Sequence, residues 1–263
     1  MDRSAHPFVV ALMLATLQAW SQTQQPSPTE AGQHTAALQD RDLAVIVASA
    51  DLPIASPVGL AIGNVGDIYF GDNEAHEIVR FDLRQQVVRW RVPFPRGRVA
   101  CLEADSTTVW AAGLKTHELH RFDAQTGRLL GTWKLPLDNP SGMASADGMR
   151  WICDYEEPML FQVSPNSGEV RGEQPLPCAG LTGIAFSRGR LWATLGDERR
   201  LVAIDLQRRR ITCEVALPVE SPAVRGLVSR GRWFYFIEWP SPGRLDAVEL
   251  SQETWRRAGG RFW

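Results

Sequence analysis

The stretch GDIYFGDNEAHEIVRFD, residues 66–82, crowds Asp72, Asn73, Glu74, His76 and Glu77 into six positions. A run of oxygen and imidazole groups this dense reads either as a ligand site or as a turn. The rest of the chain decides between them. Set beneath it, TTVWAAGLKTHELHRFD (107–123), GMRWICDYEEPMLFQVS (148–164) and GRLWATLGDERRLVAID (189–205) align without a gap. Tyr69, Trp110, Trp151 and Trp192 follow one another at intervals of 41 residues, and Phe81, Phe122, Val163 and Ile204 keep the same step. A looser fifth copy, GRWFYFIEWPSPGRLDAVE (231–249), places Tyr235 and Val248 in the matching slots.

Each copy has one internal grammar. A short apolar run (GLAIG, ACLEA, GMASA, GIAFS or GLVSR) precedes a tight turn, the aromatic run, a polar loop and the IVRFD-like run. A second turn and a last run ending in Leu-Pro or a close variant follow, as in GTWKLP and CEVALP. These are four short strands, rich in β-branched and aromatic residues and bounded by Gly, Asn, Asp and Pro. A lone four-stranded meander leaves an apolar face wet, and copies of about 40–45 residues bury that face by packing around an axis. The sequence therefore predicts an all-β fold, a five-bladed β-propeller, with six blades as the alternative. LAVIVASADLP (43–53) matches a last strand with no earlier strands before it and is expected to close the fifth blade from the N-terminus. The tail ETWRRAGGRFW (253–263) competes for that place or begins a sixth blade.

Upstream, Arg3, the apolar run FVVALMLATLQAW (8–20) and small residues at 19 and 21 have the layout of an export signal cleaved after Ser21. Residues 22–42 are polar and aperiodic, a linker, and the propeller domain spans 43–263. These features predict a secreted or periplasmic protein with no membrane contact beyond the export signal. With 263 residues and a net charge of -2, nothing favours nucleic acid. Cys101, Cys153, Cys178 and Cys213 have no zinc-like spacing; export would permit a disulfide, and Cys153 and Cys178 are the pair on the rim side.

With the repeat established, the opening cluster falls in the loop between second and third strands, where Asp and Asn serve turns by bonding nearby backbone. The same loops share one rim, so differences between copies matter there. Three residues past the strand aromatic stand Asp72, Gly113, Asp154, Leu195 and Glu238. If Asp72, Asp154 and Glu238 converge, they could hold a divalent cation such as calcium. His76, His117 and Glu238 are the acid–base candidates, whereas His120 occupies a packed strand position. Asp72, Asn73, Asp154, Tyr155, Glu238 and Trp239 are the candidate ligand-binding residues. Ser187 and Ser229 recur at a hairpin and are not nucleophiles.

Residues 56–82 (SPVGLAIGNVGDIYFGDNEAHEIVRFD) and 181–206 (LTGIAFSRGRLWATLGDERRLVAIDL) resemble the NHL, SMP-30/gluconolactonase, streptogramin-lyase-like and YVTN/YncE-type propellers. The resemblance implies architecture. SMP-30-like lactonases carry an acid near the first inner strand as part of a metal cage; here that segment reads ASPVGLAIG, without one. Lyase-like members imply a rim histidine and acid, for which His76 or His117 with Asp154 or Glu238 would stand. The characteristic segments of glutamine cyclotransferases, another secreted propeller family, are not visible. The function expected is an exported scaffold whose rim binds a small molecule, glycan or protein. The alternative is a lactone hydrolase or lyase, metal-assisted.

Overall fold

Every repeat folds as its runs and turns predict. In a computed structural model that describes residues 42–54, 56–63, 66–239 and 243–259, a short strand β1 (Asp42–Leu43) and β2 (Val45–Asp51) precede the blades. Blade one is β3 (Pro57–Ile62), β4 (Asp67–Asp72), β5 (Glu77–Asp82) and β6 (Val87–Pro93). Blade two is β7 (Arg98–Ala104), β8 (Thr108–Leu114), β9 (Glu118–Asp123) and β10 (Leu129–Lys134); blade three is β11 (Pro140–Ala146), β12 (Met149–Asp154), β13 (Met159–Val163) and β14 (Val170–Pro175). Blade four is β15 (Leu181–Ser187), β16 (Arg190–Leu195), β17 (Arg200–Asp205) and β18 (Arg210–Ala216). Blade five takes β19 (Ala223–Arg230), β20 (Trp233–Trp239) and β21 (Arg244–Glu249) from the C-terminal end and β2 from the N-terminal end. The leader expected at 1–21 and all but the last residue of the linker expected at 22–42 lie outside the described residues.

The ring closes through β2, as the orphan strand at 43–53 predicts. It pairs antiparallel with β21 from Val45↔Glu249 to Asp51↔Arg244. β1 adds in parallel to the outer edge of blade four, Asp42 opposite Val215, so the N-terminal segment ties blade four to blade five. The six-blade alternative is corrected: five sheets complete the ring. The described part of the tail, up to residue 259, does not compete for the closing place either. It forms a short helix, α1 (Gln252–Arg257), whose N-cap Ser251 accepts from Thr254 N–H at 3.0 Å. Trp255 and Ala258, three residues apart on one helical face, are buried between blades four and five, with Trp255 5.2 Å from Trp192 and 5.6 Å from Phe234. That spacing suits a helix face and not an alternating strand.

Hydrophobic clusters fill the space between each pair of neighbouring blades, and the repeat aromatics Tyr69, Trp110, Trp192 and Tyr235 are among their most deeply buried side chains. His120 is buried here too, with Nδ1 3.0 Å from Thr132 Oγ1 and Phe94 edge-on at 4.9 Å. The cysteines are free thiols; burial pushes Cys153 up to about 12.

Each inner strand carries an irregularity in its pairing with the second strand, at Val58/Ala61, Val99/Cys101, Pro140/Gly142, Leu181/Gly183 and Arg225/Val228. A bulge of this kind bends the strand and re-aims its side chains. Just past it, neighbouring inner strands touch backbone to backbone: a Cβ on Gly183 would stand 2.5 Å from Gly226 C and Leu227 N, and one on Gly142 2.7 Å from Ile184 N. Leu60, Leu102, Met143, Ile184 and Leu227, one from each blade and all buried, fill the axis at this level. The axial space is thereby divided into two cavities that share no lining residue, one at each end.

Candidate functional site

The loops between second and third strands stand at one end of the axis, and their residue types follow from the turns they make. Asp72 Oδ1 accepts from the N–H groups of Glu74 (3.1 Å) and Ala75 (3.2 Å). Asp154 Oδ1 does the same for Glu156 (2.9 Å) and Glu157 (3.2 Å), and its Oδ2 accepts from Asn139 N–H at 3.0 Å. His76 (φ 57°) and His117 (φ 55°) lie in the left-handed region, the conformation Arg199 (φ 53°) adopts at the same step in blade four. Histidine is among the residues enriched in this region. His76 Nδ1 rests 3.0 Å from the Gly97 carbonyl, and His117 Nε2 lies 3.1 Å from Asp138 Oδ1. The opening cluster is a turn.

Glu238 is the last residue but one of β20 and is held within its own blade. Its Oε2 accepts from Ser221 Oγ at 2.5 Å, and Oε1 lies 3.8 Å from Arg244 Nε. The three carboxylates read as cation ligands are thus engaged separately. Among the described residues no three His, Cys, Asp or Glu side chains gather around a point an ion could occupy.

Beside Glu238 stands a carboxyl group the repeat comparison passed over. Asp246 on β21 is fully buried; its Oδ1 accepts from Ser49 Oγ (2.5 Å) and Arg244 Nε (3.0 Å). Burial and the adjoining Glu238 push Asp246 up to about 7, while Ser221, Arg244 and the hydrogen bond from Asp246 hold Glu238 below its ordinary value. The pair keeps one proton between two carboxylates that cannot comfortably ionise together. The groups facing it are Arg244, Ser49 and Ser221, with Asp51 acting on Arg244. Because the folded pKa of Asp246 is raised, its contribution to stability is complete below the unfolded value near 4. It is lost as pH rises toward 7. In Asp246→Asn an amide donates to Glu238 with no proton to lose. The melting temperature of the native chain should fall from pH 5 to 8.5 relative to that of the variant, by the equivalent of about 2 kcal/mol. Parallel melting curves across that range would show that the two carboxyls do not share a proton.

Three residues read as ligand-binding do converge. Asn73, Tyr155 and Trp239 line a cavity of about 370 Å³ over the axis at this rim. Its floor takes Gly59, Ala100, Ser141, Thr182 and Gly226, one from each blade, all at the bulges. Small residues there leave room above the aliphatic layer. Asn73 bonds both ways to the backbone of Val99, Nδ2 to the carbonyl at 3.1 Å and Oδ1 from the N–H at 3.0 Å, so it fastens loop one to blade two and forms a wall. Tyr155 donates its hydroxyl to Asp197 Oδ2 at 2.5 Å, which raises its pKa. Asp72, Asp154 and Glu238 do not line the cavity; Asp154 and His117 belong to a separate groove between blades two and three.

Arg225 and Asp197 were missing from the sequence reading. Arg225 lines the cavity; its guanidinium pairs with Asp197 Oδ1 at 3.3 Å and lies 5.3 Å over the ring of Trp239. The sequence held a signal for it. Arg225-Gly226 of blade five matches Val58-Gly59, Ser141-Gly142 and Thr182-Gly183 of blades one, three and four, a cation where those copies take an uncharged residue. Asp197, in a short 3₁₀ turn (Gly196–Glu198), carried none.

Comparison with known proteins places this geometry among the propellers. No family model and no curated protein matches the chain. Solved structures do. The glutaminyl cyclase of Myxococcus xanthus is similar over 81% of this chain and 99% of its own, with a TM-score of 0.69 and 12% identity. The likeness is one of fold. The PQQ-bound aldose sugar dehydrogenase of Streptomyces coelicolor covers 79% of this chain and 98% of its own (TM-score 0.54, 12% identity). A streptogramin B lyase covers 79% and 74% (0.51, 18%). The expected propeller architecture is thus found in the structure and in its neighbours, the lyase among them. At these identities the three share blades with this chain, and their different activities show how little the blades alone decide.

Proposed function

We propose that this propeller binds a small molecule in the rim cavity of about 370 Å³, between the ring of Trp239 and the guanidinium of Arg225. One observation carries the reading: Asn73, Tyr155, Trp239 and Arg225, from blades one, three and five, meet over a floor kept open by one small residue per blade. A fully buried packing role does not explain Trp239, which is 39% exposed. Its face toward Arg225 offers a flat apolar surface beside a cation, the arrangement that suits a planar group bearing a carboxylate or another acceptor. Asp197, exposed and paired with Arg225, would be displaced by such a ligand. The export signal read at 1–21 makes a site of action outside the cytoplasm part of this proposal.

The acid–base reading has less support. His76, His117 and Glu238 lie apart from one another and outside this cavity. A thermal-shift screen over small carboxylic acids, amides and sugars tests the binding reading, with Arg225→Ala and Trp239→Ala as controls. A ligand present at 100 times its Kd should stabilise the native chain by about 2.7 kcal/mol and each variant much less. Ligands that shift all three proteins equally would place binding elsewhere. A screen with no shift for the native chain would remove the reading.

A further inference from the structure

The opposite end of the axis holds a second cavity, of about 390 Å³, lined from all five blades near the turns between first and second strands. Its inner end is the aliphatic layer of Leu60, Leu102, Met143, Ile184 and Leu227. Its collar is charged, and unevenly. Blade two contributes Glu103 and Asp105, bridged by one guanidinium: Arg150 Nε lies 2.9 Å from Glu103 Oε2 and its Nη2 2.8 Å from Asp105 Oδ2. That wall keeps one negative charge in excess. Blade five contributes Arg230, whose guanidinium donates to the carbonyls of Ile62 (2.9 Å) and Gly63. That wall is positive.

Neither charge is required by the blade. Stepping through the repeat, the position of Glu103 is Ile62, Ala144, Ala185 and Val228 in the other copies. A carboxylate where four copies take an apolar residue is costly in a confined place unless something offsets it. Burial indeed pushes Glu103 above the usual carboxylate range, against the pull of Arg150 and the Ser145 hydroxyl. Arg150, 5% exposed and 4.5 Å over the ring of Trp110, fixes both acids from behind. The cavity therefore presents an apolar floor, an anionic wall and a cationic wall.

We propose that this second cavity binds a small aliphatic zwitterion, an α-amino acid with an apolar side chain or a molecule with the same three groups. Its ammonium would face Glu103 and Asp105, its carboxylate Arg230, and its side chain the floor of Leu60, Leu102, Met143, Ile184 and Leu227. The site is separate from the rim cavity, so Trp239→Ala should leave it unchanged. Calorimetric titration of the full chain with L-leucine is expected to give saturable one-site binding. Butylamine and hexanoate, each lacking one charged group, should bind at least about tenfold more weakly, as should leucine to Glu103→Gln or to Arg230→Gln. Arg230 is exposed, so its variant keeps the test meaningful if Glu103→Gln is poorly folded. Absence of saturable heat with leucine would overturn the proposal. So would equal binding of butylamine or hexanoate, indifference to both charge variants, or loss of binding in Trp239→Ala.

Discussion

A chain that begins at Pro57 is expected to lose cooperative folding, while one that begins at Asp42 melts like the full chain. Removed with the short β1, β2 is the outermost strand of blade five, yet it precedes every other blade strand in sequence and fastens the two ends of the ring. Without β2, strand β21 becomes a bare edge, and the paired positions from Val45↔Glu249 to Asp51↔Arg244 are all lost. Ala48, Leu52 and Ile54 leave the cluster between blades five and one, exposing Tyr235, Ile237 and Leu245 on one side and the inner residues of blade one on the other. Ser49 goes as well, and with it a hydrogen bond to the buried Asp246. A domain's net stability is only about 5–15 kcal/mol, and the loss of a whole strand with its ladder and apolar face is of that size. The exposed edge also invites pairing between molecules, so the truncated chain should be found in aggregates. Adding a peptide of residues 42–54 in trans should restore a cooperative melt. A soluble chain from Pro57 with the native melting temperature would mean that the ring does not depend on this closure.

The repeat was legible because packing around an axis imposes the same demand five times. Tyr69, Trp110, Trp151, Trp192 and Tyr235 recur for a reason of geometry, and so do the turn-forming Asp82, Asp123 and Asp205, whose carboxylates each accept from N–H groups two and three residues on. That repetition also accounts for several of the residues most suggestive of chemistry. Asp72 and Asp154 obey the turn rule, and His76 and His117 occupy a left-handed position in it. The informative residues are those that break the pattern. Trp239 and Tyr155 could be recognised, since they stand at the rim, Trp239 as the last residue of β20 and Tyr155 just past β12, without a core packing role. Arg225 broke the pattern inside a strand, where the bulge that turns it toward the axis is invisible without coordinates. The second cavity was hidden for the same reason: Glu103 and Arg230 sit in runs that read as inner strands, and their meeting around one space depends on the closure of the ring.

Gly183→Ala is expected to destabilise the protein by about 3 kcal/mol or more, an effect out of proportion to one methyl group. Gly183 does not need its glycine for backbone conformation, since it does not lie in the left-handed region; the requirement is space. Its Cβ would meet Gly226 C and Leu227 N at 2.5 Å, both backbone atoms of the next inner strand. A flexible side chain could move aside, but a strand held by its own ladder cannot, so blades four and five must separate. The displacement would be felt around the ring, because Gly226 in turn lies against Gly59 and Leu60, where a Cβ would come within 2.9 Å of Leu60 N. Gly148, at a hairpin tip with nothing within 4 Å of its would-be Cβ and φ 72°, provides the contrast: Ala there meets only the conformational penalty of a left-handed residue, about 1 kcal/mol. Chemical denaturation of the two variants separates the causes. If Gly183→Ala costs no more than Gly148→Ala, the inner strands are not in contact at this level, and the layer that divides the axis into two cavities is not closed. If it costs several times more, the axis is sealed by backbone, and a ligand at either mouth meets its own floor.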